Sequence, residues 1–207
     1  MMLVTLLVLS LAASIECLSS YGCYGDVTTF DTPVITCGNV GYTTSCGVPA
    51  VEKNVEINVA VLKRYRSQII HAARKLCVDP TILGAMISLE SGAGTRLLNG
   101  WNRERTRYGL MQIYSRNYPV GGAWDSTENL LQGGTILTTY VTTLRNRRPG
   151  LTWQQYWRDG ICAYQAGIPS ILSYHGSDFC GTYGRFADKV VVAAKYLKRS
   201  RVFNSCC

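Results

Sequence analysis

The stretch from Asp79 to Gly94 constrains the fold more than any other part of this 207-residue chain. Asp79-Pro80 reads as a helix start, with Asp as N-cap and Pro at the first helical position, where a missing N–H costs nothing. Ile82, Leu83, Ala85, Met86, Ile87 and Leu89 then place apolar groups nearly all round the helix, leaving it no face to turn toward water. Such a helix must be wrapped by the rest of the chain. It stops at Gly92 or Gly94, since glycine takes a left-handed C-cap without strain. Its last turn carries one carboxyl, Glu90, facing whatever the following loop encloses.

The wrapping elements are legible as further helices. From Val51 to Leu76, apolar residues recur at Val55, Val59, Leu62, Ile69, Ile70 and Ala73, which predicts one long amphipathic helix closed by Cys77. Another begins near Asp125 or Ser126 with Glu128 in its first turn. It runs through Leu130, Ile136, Leu137, Tyr140, Val141 and Leu144 to Arg145, Arg147 and Arg148 before Pro149. Acid at the start and base at the end suit the helix dipole. Thr152 caps a shorter helix holding Trp153, Tyr156 and Trp157, and Phe186 to Lys198 forms a last one. Between Asn99 and Gly122, glycines, aromatics and basic residues predict a loop or small sheet region, the kind of segment that carries function. Ser19 to about Gly47 lacks periodicity and reads as an irregular segment tied down by its cysteines. The expected fold is mainly α with little strand, a single domain over 18–207.

Residues 1–17 read as a signal peptide. Met1 to Ala13 is almost wholly apolar, too short at about a dozen residues to span a bilayer, and small residues follow near a cut placed between 14 and 20. No other stretch is long and apolar enough for a membrane span, so the expected location is secreted, extracellular. Nine cysteines fit structural disulfides in an oxidising compartment. A cut at or after Cys17 leaves an even number. Cys206 and Cys207 do not suit each other, because adjacent Cα atoms sit about 3.8 Å apart and disulfides prefer about 4.4–6.8 Å. A dimer, pairing with upstream cysteines or loss in processing stay open for them, and with these the oligomeric state. There is no Cys-x-x-Cys, and His71 and His175 lie far from ligand spacing, so neither a metal nor a cofactor is expected. Lys and Arg outnumber Asp and Glu by 21 to 13, giving +8. That charge is either a solvated surface or a means of attraction to an anionic partner. No nucleic-acid-binding signature accompanies it, so an anionic bacterial surface is the favoured partner and nucleic acid is not.

Glu90 is the acid that stands out chemically. A carboxyl at the end of an apolar helix is costly to bury charged, so its pKa rises, and an acid still protonated near neutral pH can donate to a leaving oxygen. The other reading is a buried Glu bonded to a backbone amide. Local pattern leaves both open.

Several short blocks, in order along the chain, carry a wider likeness. They are Cys23-Tyr24-Gly25-Asp26, Lys75-Leu76-Cys77-Val78-Asp79-Pro80, Ile87-Ser88-Leu89-Glu90-Ser91, Asn99-Gly100-Trp101, Gly109-Leu110-Met111-Gln112-Ile113 and Gly160-Ile161-Cys162-Ala163-Tyr164-Gln165-Ala166-Gly167. Together they resemble goose-type lysozyme across essentially all of the mature chain, and some are similar to soluble lytic transglycosylases. The resemblance implies an α+β lysozyme-like fold in which buried helices surround a substrate cleft. It implies Glu90 as general acid at the bond between N-acetylmuramic acid and N-acetylglucosamine. Tyr164, with Gln165 beside it, then lines the cleft near the acid, and Met111 and Gln112 belong to the cleft wall. It also implies pairing of Cys23 with Cys77 and of Cys37 with Cys46. Cys162 with Cys180 is an inference from their shared C-terminal position. Trp101 and Tyr108 are candidates to stack on sugar faces, or to close a core.

One departure cuts against a complete hydrolase. Inverting hydrolysis needs a second carboxylate to hold the attacking water, roughly 6.5–9.5 Å from the acid. Goose-type lysozymes carry aspartates just after Gly-Trp and just after Gly-Leu-Met-Gln-hydrophobic, where this chain has Arg103 and Tyr114. Glu104 lies beside the first of these and is the stand-in candidate, against the alternative of a surface ion pair with Arg103 or Arg105. The expectation is therefore a secreted, antibacterial peptidoglycan-cleaving glycosidase. Its alternatives are transglycosylase-like cleavage, with attack by the sugar's own hydroxyl, and a catalytically impaired peptidoglycan-binding protein.

Overall fold

A computed structural model describes residues 26–33, 35, 47–173, 180 and 185–203. The signal-peptide reading, the Cys37–Cys46 pairing, most of the irregular segment and the fate of Cys17, Cys206 and Cys207 lie outside them. Among the described residues the architecture is helical, with one small antiparallel sheet. Helices α1 (Gly47–Leu62), α2 (Arg66–Leu76) and α3 (Pro80–Ser91) come first. Strands β1 (Arg107–Tyr108) and β2 (Ile113–Tyr114) follow, and then α4 (Thr127–Arg147), α5 (Trp153–Ala166), α6 (Ile168–Leu172) and α7 (Phe186–Arg199). No helix among the described residues is long and apolar enough to cross a membrane.

Helix α3 is the axle. Leu83, Ala85, Met86 and Ile87 are wholly buried, against α7, α2 and α1. At Gly84 the approach is so close that a Cβ would lie 2.5 Å from the Phe203 ring that follows α7. The N-cap works as the sequence predicts: Asp79 Oδ1 accepts from the Thr81 amide (2.9 Å) and hydroxyl (2.7 Å). Its Oδ2 meets Lys198 Nζ of α7 at 2.8 Å, so the one carboxylate caps α3 and pairs with a cation. Asp79 is 1 % exposed, and only such pairing makes a charge tolerable there. At the other end Gly92, with φ of 61°, donates to Ser88 O, and Ala93 donates to Ile87 O.

The single helix predicted from Val51 to Leu76 is instead two. A 3-10 turn at Lys63–Tyr65 separates α1 from α2. Tighter winding there rotates the apolar face of α2 relative to that of α1, so α1 packs on α7 while α2 packs on α4. Ser126 caps α4, its hydroxyl accepting from the Asn129 amide. Thr152 and Gln155 form a reciprocal capping box at α5. Cys162 is bonded to Cys180, with Cα atoms 5.7 Å apart. Cys77 is also disulfide-bonded, while Cys23, its expected partner, lies outside the described residues.

Candidate active site

Glu90 sits where the last turn of α3 meets the end of α5. Its Oε1 accepts a hydrogen bond from Gln165 Nε2. The side chain keeps a partly exposed edge, yet protein surrounds the carboxyl on most sides, and it is the surroundings that set the cost of its charge. Desolvation pushes its pKa from an ordinary 4.5 to about 8, opposed by Arg107, Arg96 and the Gln165 hydrogen bond. At neutral pH the carboxyl therefore keeps its proton. Arg96 is fixed nearby, Nη2 donating to Leu89 O at 2.7 Å.

The strand pair forms the facing wall. Arg107 and Tyr114 are register partners, as are Tyr108 and Ile113. Arg107 spans the gap to the helices, with Nη1 donating to Gln112 O (3.3 Å) and Nη2 to Gln165 O (3.4 Å). Its guanidinium lies 5.7 Å from the centre of the Tyr114 ring. Beyond it opens a pocket of about 290 Å³, lined among others by Arg107, Tyr114, Tyr118, Tyr140, Tyr164 and Gln165. Tyr118 and Tyr140 share a hydroxyl–hydroxyl hydrogen bond of 2.7 Å. The Tyr164 hydroxyl donates to Met111 O at 3.1 Å, tying α5 to the wall. Burial and the neighbouring Glu90 push its phenol pKa well up, so it remains a neutral donor.

Three sequence-predicted residues, Glu90, Gln165 and Tyr164, thus come together. Met111 and Gln112 belong to the wall from behind, as both are buried. The Met111 sulfur packs toward Gly133, and Gln112, with φ of 56°, donates from Nε2 to Gly109 O at 2.8 Å. Trp101 and Tyr108 pack on each other, ring centres 4.8 Å apart, and both stay partly exposed. Glu104 is exposed and accepts from Asn102 Nδ2 at 3.0 Å. Arg103 is exposed as well. Among the described residues, no group of three or more His, Cys, Asp and Glu side chains gathers to hold a metal.

A family model described as Lysozyme g matches residues 24–201. The chain belongs to the lysozyme g family. Curated lysozyme g relatives agree. "Lysozyme g" of Struthio camelus is 36 % identical over 186 residues, covering 87 % of this chain and 90 % of its own. "Lysozyme g" of Gallus gallus is 31 % identical over 204 residues, covering 96 % and 95 %. "Lysozyme g-like protein 2" of Mus musculus is 34 % identical over 179 residues, covering 86 % and 81 %. As a lysozyme g the chain is a lysozyme-type glycosidase.

Two residues that hold this candidate site in shape escaped the sequence. Asn102 organises the loop before β1: its Oδ1 accepts from the amides of Thr106 (2.8 Å) and Arg107 (2.9 Å). Asn after Gly-Trp was the available signal, since Asn side chains often bond nearby backbone amides. Arg107 had none, being one basic residue in the run Arg103, Arg105, Arg107.

Proposed function

We propose that this lysozyme g family member is secreted and cleaves the β-1,4 bond between N-acetylmuramic acid and N-acetylglucosamine in bacterial peptidoglycan, with Glu90 as proton donor. The observation that carries this is the Glu90 carboxyl, held by Gln165, which also lines the adjoining pocket, and raised to a pKa of about 8. Such a group is protonated at neutral pH, when a glycosidic oxygen needs a proton to leave, and it becomes a carboxylate stabilised by Arg107 and Arg96 once the proton has gone. Trp101 and Tyr108 offer partly exposed aromatic faces for sugar rings. The +8 charge draws the protein to an anionic wall, an attraction screened over about 10 Å at 0.1 M salt. Lysis should accordingly fall as ionic strength rises.

The attacking group has two candidates. In the first, Glu104 holds a water. In the second, the muramic C6 hydroxyl attacks C1 of its own ring, Glu90 having given its proton to the leaving oxygen and then accepting the hydroxyl proton, so that an anhydro sugar forms and no water is consumed. The second is favoured because none of the described residues that line the pocket reached through Gln165 is Asp or Glu. The test is lysis of cell walls at low salt by wild type, Glu90→Gln and Glu104→Gln, with masses of the released muropeptides. Loss of lysis by about 10²-fold or more in Glu90→Gln is expected. Products lighter by one water, with Glu104→Gln fully active, select the intramolecular route, whereas hydrated products and an inactive Glu104→Gln select the first. A wild type that binds walls and cleaves none sinks the enzyme reading and leaves a peptidoglycan-binding protein.

A further inference from the structure

Among the residues described as lining the pocket, Arg107 is the one cation, and it has donors to spare. Arg107 is held at both ends of its guanidinium fork by the carbonyls of Gln112 and Gln165, and Asn102 fixes its backbone amide. A guanidinium has five N–H donors, so two carbonyl contacts leave three. The side chain faces a pocket whose other polar groups are neutral: Tyr114, Asn117, Tyr118, Tyr140, Tyr164 and Gln165. Among the described residues Arg107 makes no ion pair within 4.0 Å. The nearby carboxyl, Glu90, is uncharged below about pH 8. A guanidinium anchored by two backbone carbonyls, with no ion-pair partner among the described residues and facing a pocket, suits a carboxylate, because a planar fork matches two carboxylate oxygens.

We infer that Arg107 is a specificity-determining residue that binds a carboxylate of the glycan strand next to the bond being cut. Resting on the peptidoglycan reading above, this names what part of that substrate the pocket recognises. The carboxylate has two sources: the lactyl ether of muramic acid where no peptide is attached, or the side and terminal carboxylates of an attached stem peptide. N-Acetylglucosamine carries none, so Arg107 also separates muramic-containing strands from chitin-like ones.

The test measures binding in the Glu90→Gln background, where cleavage is suppressed and the amide mimics the protonated acid. The ligands are stem-bearing glycan fragments, the same glycan stripped of peptide to free its lactyl carboxylates, and both after carbodiimide coupling to methylamine, which neutralises the carboxylates. The expected result is a loss of affinity of about tenfold on neutralisation, about 1.4 kcal/mol. Adding Arg107→Gln abolishes that discrimination, and Arg107→Lys retains part of it by keeping the charge. Discrimination confined to stripped glycan assigns the lactyl group, and discrimination confined to stem-bearing fragments assigns the peptide. If carboxylate dependence survives in the Arg107→Gln protein, with unchanged thermal unfolding, or is absent from the Glu90→Gln parent, the inference is overturned. Failure to bind any of these glycans overturns the peptidoglycan reading itself.

Discussion

Replacing Glu90 by Gln should make the protein more stable, increasingly so as pH rises from about 4.5 to about 8. The carboxyl titrates near an ordinary 4.5 when unfolded and at about 8 when folded. Between those values the folded state holds a proton that the unfolded state has released. Stability from this group is thus fully present below about pH 4.5 and is lost as pH rises through about 8. At about 1.36 kcal/mol per pKa unit the interval sets an upper value of about 5 kcal/mol. The partly exposed edge of the side chain lets water solvate the charge, which trims the working expectation to about 2–4 kcal/mol. Glu90→Gln has no proton to lose and keeps a polar group against Gln165, whose amide can turn to match. Urea unfolding of both proteins at pH 5 and pH 9, disulfides intact, isolates the effect, because every other group titrates alike in the two. The expected difference is under about 1 kcal/mol at pH 5 and about 2–4 kcal/mol in favour of the variant at pH 9. An equal difference at both pH values would show that Glu90 is an ordinary carboxylate, and the proton-donor argument would lose its physical basis.

Three further outcomes are expected. The kcat/KM for wall cleavage should fall as pH rises past about 8, because the acid must be protonated to act; a pH–rate profile that breaks near 4.5 instead refutes the assignment. Gly84→Ala should cost about 1–3 kcal/mol in chemical denaturation, because its methyl would meet the Phe203 ring at 2.5 Å, and Phe203→Leu in the same chain should recover part of the loss. Asn102→Ala should remove the bonds to the Thr106 and Arg107 amides for about 1–2 kcal/mol; because Arg107 then loses its register, glycan affinity should drop further than in Glu104→Ala, and equal affinities would deny Asn102 its positioning role.

What the sequence could and could not disclose divides along the line between local and tertiary causes. Asp79, Pro80, Gly92, Ser126 and Thr152 act on their own neighbours, through caps and left-handed turns, so residue type and position suffice to place α3, α4 and α5. The break between α1 and α2 has no such marker. Lys63–Tyr65 contains neither Gly nor Pro, and the turn exists because the two halves seek different partners. The five-residue α6 was likewise invisible, too short to show a period. In the site, Glu90 was legible because a lone carboxyl in an apolar helix is an energetic anomaly. Gln165 bonds it only because α5 ends against α3, a meeting that no local pattern encodes. Arg107 matters because the strand pairing turns it inward, whereas Arg103 and Arg105 in the same run are exposed.

The facing of Arg107 and Tyr114 across the strand pair bears on what a carboxylate introduced at position 114 would meet. A lineage that mutated Tyr114 to Asp while keeping Arg107 would place the new carboxylate beside a waiting guanidinium. The two would neutralise each other, and the aspartate would be occupied before any water reached it. A carboxylate at 114 free to hold a water therefore takes two substitutions, one at each position. The two positions are coupled, so Tyr114→Asp alone should add little hydrolytic activity, and a gain should emerge only with Arg107→Gly in the same chain, at the cost of the carboxylate contact proposed for Arg107.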